Sequence, residues 1–170
     1  MSNPVVETIQ GAYQKCGYST LRFNLRGVGR SQGHFDNGRG ERDDVRAAIA
    51  YAEKMKVTAI DLAGYSFGAW VNAGVAAAKG TAIHSMSMVS PPVGFIAFDN
   101  VNALKCLKLV VTGSRDDIAP VDHIRRLLPV WNPGAELEII EGCDHFYSGY
   151  LQQLESLLMQ HLESSTAAPP

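Results

Sequence analysis

Gly64-Tyr65-Ser66-Phe67-Gly68 constrains this chain more than any other stretch. Before it runs Val57-Thr58-Ala59-Ile60, β-branched and apolar, which reads as a buried strand. After it runs Trp70-Val71-Asn72-Ala73-Gly74-Val75-Ala76-Ala77-Ala78, alanine-rich, which reads as a buried helix. A strand that turns sharply into a helix forces the residue at the turn into a strained conformation and raises its side chain above the sheet edge. Glycines two before and two after let neighbouring backbone pack without a Cβ clash. The Ser66 hydroxyl then lies at a helix N-terminus, where free N–H groups and the helix dipole favour negative charge. A nucleophile and a developing oxyanion would both gain from that place. The bland alternative is a turn of small residues with no chemistry.

The remaining chain supplies the frame. Val5, Ile9, Ala12, Tyr13 and Cys16 recur at helical spacing, and Gly17 stops them. Ser19–Leu25 reads as a strand, followed by a glycine-rich loop from Arg26 to Gly38, long enough to suggest function. Gly27-Val28-Gly29 lacks a well-placed third glycine and a receiving helix, so a dinucleotide site is not supported. Glu41, Asp43 and Asp44 load the first turn of a helix with negative charge, and Val45, Ala48, Ile49, Ala52 and Met55 give it a core face. Ile83–Val89 and Leu107–Val111 read as strands, Val121–Leu128 as a helix stopped by Pro129, and Leu137–Ile140 as the last strand. Leu151, Leu154, Leu157, Leu158 and Leu162 mark a C-terminal amphipathic helix. Strands alternating with helices predict a mostly parallel sheet covered on both faces, in one domain over residues 1–163, with a disordered tail at 164–170.

Chemistry in such sheets gathers at the carboxyl ends of the strands. Two further ends carry suitable groups: Ser114-Arg115-Asp116-Asp117 after Leu107–Val111, and Cys143-Asp144-His145 after Ile140. A serine hydroxyl needs a base to take its proton, and a histidine, with an ordinary pKa of about 6.5, suits neutral pH. A carboxylate must fix the imidazole tautomer. His145 is the candidate base and Asp116 the candidate acid, with Asp117 and Asp144 as alternatives. His34, His84, His123 and His161 lack such a setting.

Across these four motifs the chain resembles the α/β-hydrolases, most of all the small lidless serine hydrolases related to dienelactone-hydrolase-like esterases. Phe23–Gly33 is similar to the family's Arg-Gly-x-Gly-x-Ser loop, Gly64–Gly68 to its nucleophile elbow, Gly113–Pro120 to its acid loop and Gly142–Phe146 to its histidine loop. The resemblance runs from about Asn3 to His161. It implies an α/β-hydrolase fold with no cap domain and a carboxylesterase-type reaction on small acyl esters, with Ser66 as nucleophile, His145 as base and Asp116 as acid. It further implies the Phe67 N–H as an oxyanion donor, with Tyr65 beside it at the oxyanion and substrate site. No metal or organic cofactor is implied. Phe95 and Phe98, in the segment where a lid would stand, either wall an open site or pack the core.

The chain departs from the family in one respect. Three strands that precede the first helix in the family have no counterpart, on the order of 40 residues. One of them separates the family's fourth and fifth strands, and its loop supplies the second oxyanion donor. Either the recorded start is internal to a longer gene, or the sheet closes up with its remaining five strands. The 170-residue chain, if folded, is then expected to pair Ser19–Leu25 directly with Thr58–Ala63, or to borrow an edge from a second copy as a homodimer. Crippled by that loss, it could instead be a non-catalytic α/β-hydrolase-like binding protein.

Composition narrows the partners. The 170 residues carry a net charge of −2, which gives no electrostatic footprint for nucleic acid or anionic membrane. No apolar run reaches the ~18 residues of a membrane span. Met1–Gly11 lacks the basic start and apolar core of a secretory signal. Cys16, Cys106 and Cys143 are widely spaced, as suits reduced thiols in a cytoplasm. The expected partner is a small acyl substrate.

Overall fold

The computed structural model describes residues 3–78, 80, 83–99 and 101–167. Four parallel strands stand side by side in chain order: β1 (Asp61–Tyr65), β2 (Ser85–Val89), β3 (Leu107–Gly113) and β4 (Glu136–Ile140). The alternation of side chains divides the core. Val89, Leu109 and Val111 face one helical layer, formed by α1 (Pro4–Lys15) and α5 (Leu151–Ala167). Met86, Met88 and Val110 face the other, formed by α3 (Phe67–Ala76) and α4 (Val121–Trp131). The helix α2 (Arg39–Lys54) packs Val45 and Ile49 against Val71 and Val75 of α3. This is the α/β-hydrolase arrangement, with no lid among the described residues.

Several expectations need correction. The elbow strand begins at Asp61, after Val57–Ile60, and runs straight into Ser66. The helix α4 passes through Pro129 to Trp131, because a proline in the last turn removes little of the ladder and the Asn132 N–H still closes on Leu128 at 2.8 Å. The β2–β3 connection forms turns, with no helix among its described residues. Phe98 is buried against Trp131, with ring centroids 5.0 Å apart, whereas Phe95 is 84% exposed. Helix α5 runs through Ser164 to Ala167, so helix occupies the start of the expected tail, while Ala168, Pro169 and Pro170 lie outside the described residues.

Ser19–Leu25 forms no strand and does not pair with β1. The segment is held from its far side. Gln10 and Gln14 amides donate to the Thr20 hydroxyl, Glu7 pairs with Arg22, and Asp44 of α2 accepts from both the backbone and the guanidinium of Arg26. These anchors keep the segment against the helices. A groove of about 650 Å³ remains between it and the open edge of β1, lined by Ile9, Tyr13, Leu25 and Leu62 and reaching Ser66.

Candidate active site

The sheet register aligns the carboxyl ends of its strands. Tyr65 stands opposite Val89, Val89 opposite Val111, and Gly113 opposite Ile140. Backbone bonds continue across that edge: Ser66 N–H to Val89 C=O at 2.9 Å, Ser90 N–H to Val111 C=O at 2.7 Å, and Ser114 N–H to Ile140 C=O at 3.0 Å. The loops that follow the strands are thereby locked in register and carry their side chains to one place.

Ser66 sits at the turn with φ 50° and ψ −120°, a left-handed-side conformation rare for a residue with a Cβ. Gly64 makes the turn sterically feasible. A Cβ there would stand 2.7 Å from the Ala69 nitrogen and 2.8 Å from its Cα. Gly68 faces open space, so only the first of the two elbow glycines answers a packing demand. Ser66 C=O takes the Ala69 N–H at 2.9 Å, and the Phe67 N–H, at the first position of α3, has no intrahelical acceptor.

Ser66 Oγ lies 2.9 Å from His145 Nε2, and His145 Nδ1 lies 2.9 Å from Asp116. His145 and Asp116 are both buried, 7% and 3% exposed, while Ser66 is half-buried at the mouth. Burial alone would push the Asp116 carboxyl up. Hydrogen bonds from His145 and the Ala119 N–H outweigh it and hold the group below the ordinary carboxylate range. Asp117 is exposed and Asp144 accepts from the Phe146 N–H at 3.0 Å, whereas the carboxylate on His145 Nδ1 is that of Asp116.

The acid and histidine loops are joined directly. The Arg115 N–H donates to the Cys143 C=O at 2.9 Å, and a side chain at Gly113 would collide with that carbonyl. Tyr65, expected at the oxyanion and substrate site, instead sends its hydroxyl to the His145 C=O at 2.9 Å, its ring 5.3 Å from the imidazole. Burial and the charge of Asp116 push the Tyr65 phenol up to about 12, so it is a neutral donor. Exposed aromatics flank the pair: Phe35 packs on Phe67 at 5.7 Å, and Phe146 stands edge-on to His145 at 5.7 Å.

The other histidines are elsewhere engaged or outside the site. His84 pairs with Asp61 and His161 with Glu136. Sequence reasoning missed Ser90 and Tyr147. Ser90 follows β2, the strand between those that deliver Ser66 and Asp116, and the strand-end rule could have flagged it.

An α/β serine hydrolase homologue from Coxiella burnetii is similar over 95% of this chain and 77% of its own, at 35% identity and a TM-score of 0.88. The chain belongs to the α/β serine hydrolase family. Another member, XC6422 from Xanthomonas campestris, described as lacking a lid, matches at 31% identity and a TM-score of 0.89, over 100% of this chain and 77% of that one. The Rickettsia prowazekii protein RP471 is 30% identical over 172 residues, covering 95% of this chain and 72% of its own. No family model matches the chain. Among the described residues of this α/β serine hydrolase, no helix is long and apolar enough to cross a membrane.

Proposed function

We propose that the chain is a serine esterase acting on small acyl esters through Ser66, His145 and Asp116. The observation that carries this reading is the continuous contact from Ser66 Oγ through His145 to the buried Asp116 carboxylate. Ser66 Oγ attacks the acyl carbonyl as its proton passes to His145 Nε2. The negative charge that develops on the carbonyl oxygen faces the Phe67 N–H and the positive end of α3. Collapse of that intermediate expels the alcohol, which takes the proton from His145, and leaves an acyl-serine. Water, deprotonated by His145, then attacks the acyl-serine, releases the acid and restores the serine. Asp116 holds the tautomer with its proton on Nδ1 and stabilises the imidazolium.

The exposed rings of Phe35 and Phe146 beside the reacting groups, together with the absence of a lid, favour a small apolar acyl group in an open site. No cofactor takes part in these steps.

A fluorophosphonate probe tests the assignment. The expected adduct maps to Ser66 by mass spectrometry, and Ser66→Ala abolishes both the adduct and p-nitrophenyl acetate hydrolysis. An adduct on another serine, or turnover retained in the variant, would refute it. An intact, folded chain that neither labels nor turns over would favour the binding-protein alternative.

A further inference from the structure

The Phe35 ring is 63% exposed, yet the turn that follows it is held by several contacts. Glu41, the third residue of α2, is only 1% exposed. Its two carboxylate oxygens accept the Asp36 N–H and the Gly38 N–H, each at 2.8 Å. The bond to Gly38 is an ordinary helix cap. The bond to Asp36 reaches outside the helix, to the residue next to Phe35. Asp36 returns the contact by accepting the Gly40 N–H at 3.1 Å. The indole of Trp70 lies so close to the turn that a Cβ at Gly38 would collide with it. The Phe35 ring packs 5.7 Å from that of Phe67, which in turn lies 5.6 Å from that of Trp70.

An ionised carboxylate binds two backbone N–H groups more strongly than a neutral acceptor would, so this turn is fixed firmly. An exposed apolar ring gains little for folding. A ring held rigidly beside the nucleophile presents a wall of fixed shape, and preorganised walls discriminate between ligands at little entropic cost. Phe35 and Ser66 line the same groove. Phe67, on which Phe35 packs, carries the N–H that faces the developing oxyanion. The alcohol leaves with the proton of His145 Nε2, so it must lie at the imidazole, where Phe146 stands edge-on. The acyl group therefore takes the opposite side, that of Phe67 and Phe35.

We propose that Phe35 is the specificity-determining residue for the acyl group, a flat wall that admits an unbranched acyl chain and crowds a branch at its α-carbon. Glu41 is the positioning residue that holds this wall. The proposal rests on the esterase reading and divides the ester between the two exposed rings, acyl group to Phe35 and alcohol to Phe146.

The test varies the acyl group on one alcohol, with p-nitrophenyl acetate and p-nitrophenyl isobutyrate. Phe35→Ala should raise the isobutyrate-to-acetate ratio of kcat/KM by about 10-fold, the lower end of what one apolar contact discriminates, because the ring offers one face. The ratio for two alcohols on one acyl group, phenyl acetate and p-nitrophenyl acetate, should not change. Glu41→Gln sets an amide N–H against one of the two backbone donors. It should move the acyl ratio in the same direction by a smaller factor, and should add nothing in the Phe35→Ala background. A merely structural Glu41 would lower both rates alike. Where Glu41→Gln fails to fold, Glu41→Asp, which keeps the charge and shortens the reach, carries the same test. An unchanged acyl ratio in Phe35→Ala, or a changed alcohol ratio in its place, overturns the assignment of the wall. Additive effects in the double variant overturn the role of Glu41. Methylboronic and isopropylboronic acids add to a serine hydroxyl without turnover, and their dissociation constants, read by calorimetry, should show the same change of ratio in Phe35→Ala. An unmodified chain that binds both but hydrolyses no ester would refute the esterase reading alone and leave calorimetry to decide this one. A chain that binds neither would overturn both.

Discussion

His145 Nδ1 lies 2.9 Å from both carboxylate oxygens of Asp116. The imidazole N–H is thus shared across the face of the carboxylate, and rotation of the ring would forfeit both contacts. Asn at this position would present an amide to Nδ1 and favour the wrong tautomer. Asp116→Asn is expected to lower kcat by about 10⁴. Asp117→Asn, at an exposed position, should leave kcat near the unmodified value. Steady-state hydrolysis of p-nitrophenyl acetate decides between them, and a worse Asp117 variant would overturn the assignment.

Acid stability follows from the same carboxylate. Asp116 is held below the ordinary carboxylate range in the folded chain. A group depressed in this way stabilises the fold at pH values above its unfolded pKa, about 3.9, and the contribution disappears as pH falls through the lower folded value. The unmodified chain should therefore lose stability steeply below about pH 4. Asp116→Asn, which lacks this titration, should give a shallower acid limb. Urea midpoints measured from pH 7 to pH 3 check the difference, and parallel curves would contradict it.

The two elbow glycines should behave oppositely. Gly64→Ala places a Cβ 2.7 Å from the Ala69 nitrogen, against backbone that cannot yield cheaply, and should cost about 1–3 kcal/mol. Gly68→Ala meets nothing within 4 Å and lies inside α3, so better helix propensity should stabilise it by up to about 1 kcal/mol. Thermal unfolding of the two variants separates them.

Tyr65→Phe tests whether the phenol braces the histidine loop or meets substrate. Removing the hydroxyl leaves the His145 carbonyl short of a donor and should cost about 1 kcal/mol of stability. A brace predicts a modest fall in kcat with KM unchanged. A rise in KM alone would place the hydroxyl on the substrate.

The candidate site was legible in the sequence because its chemistry stands at strand ends, and strand ends are marked locally. An apolar run, then small residues, then a serine, an aspartate or a histidine needs no tertiary knowledge to read. The order Ser66, Asp116, His145 supplied the rest. What the sequence could not decide was everything set by contacts between distant segments. Ser19–Leu25 has strand composition, yet α1 and α2 hold it from behind and no strand edge meets it. Gly64 and Gly68 look equivalent in the motif, but only Gly64 faces backbone across the turn. Phe95 and Phe98 are three residues apart and indistinguishable by type, and only the packing of Trp131 buries one of them. Tyr147 carries no local mark, and Ser90 carries only its place at the end of β2. Their contact exists because parallel register stacks the ends of β2 and β4 on either side of the loop that holds Asp116. Local pattern determined which residue types stand at each strand end; the register of the sheet decided which of them touch.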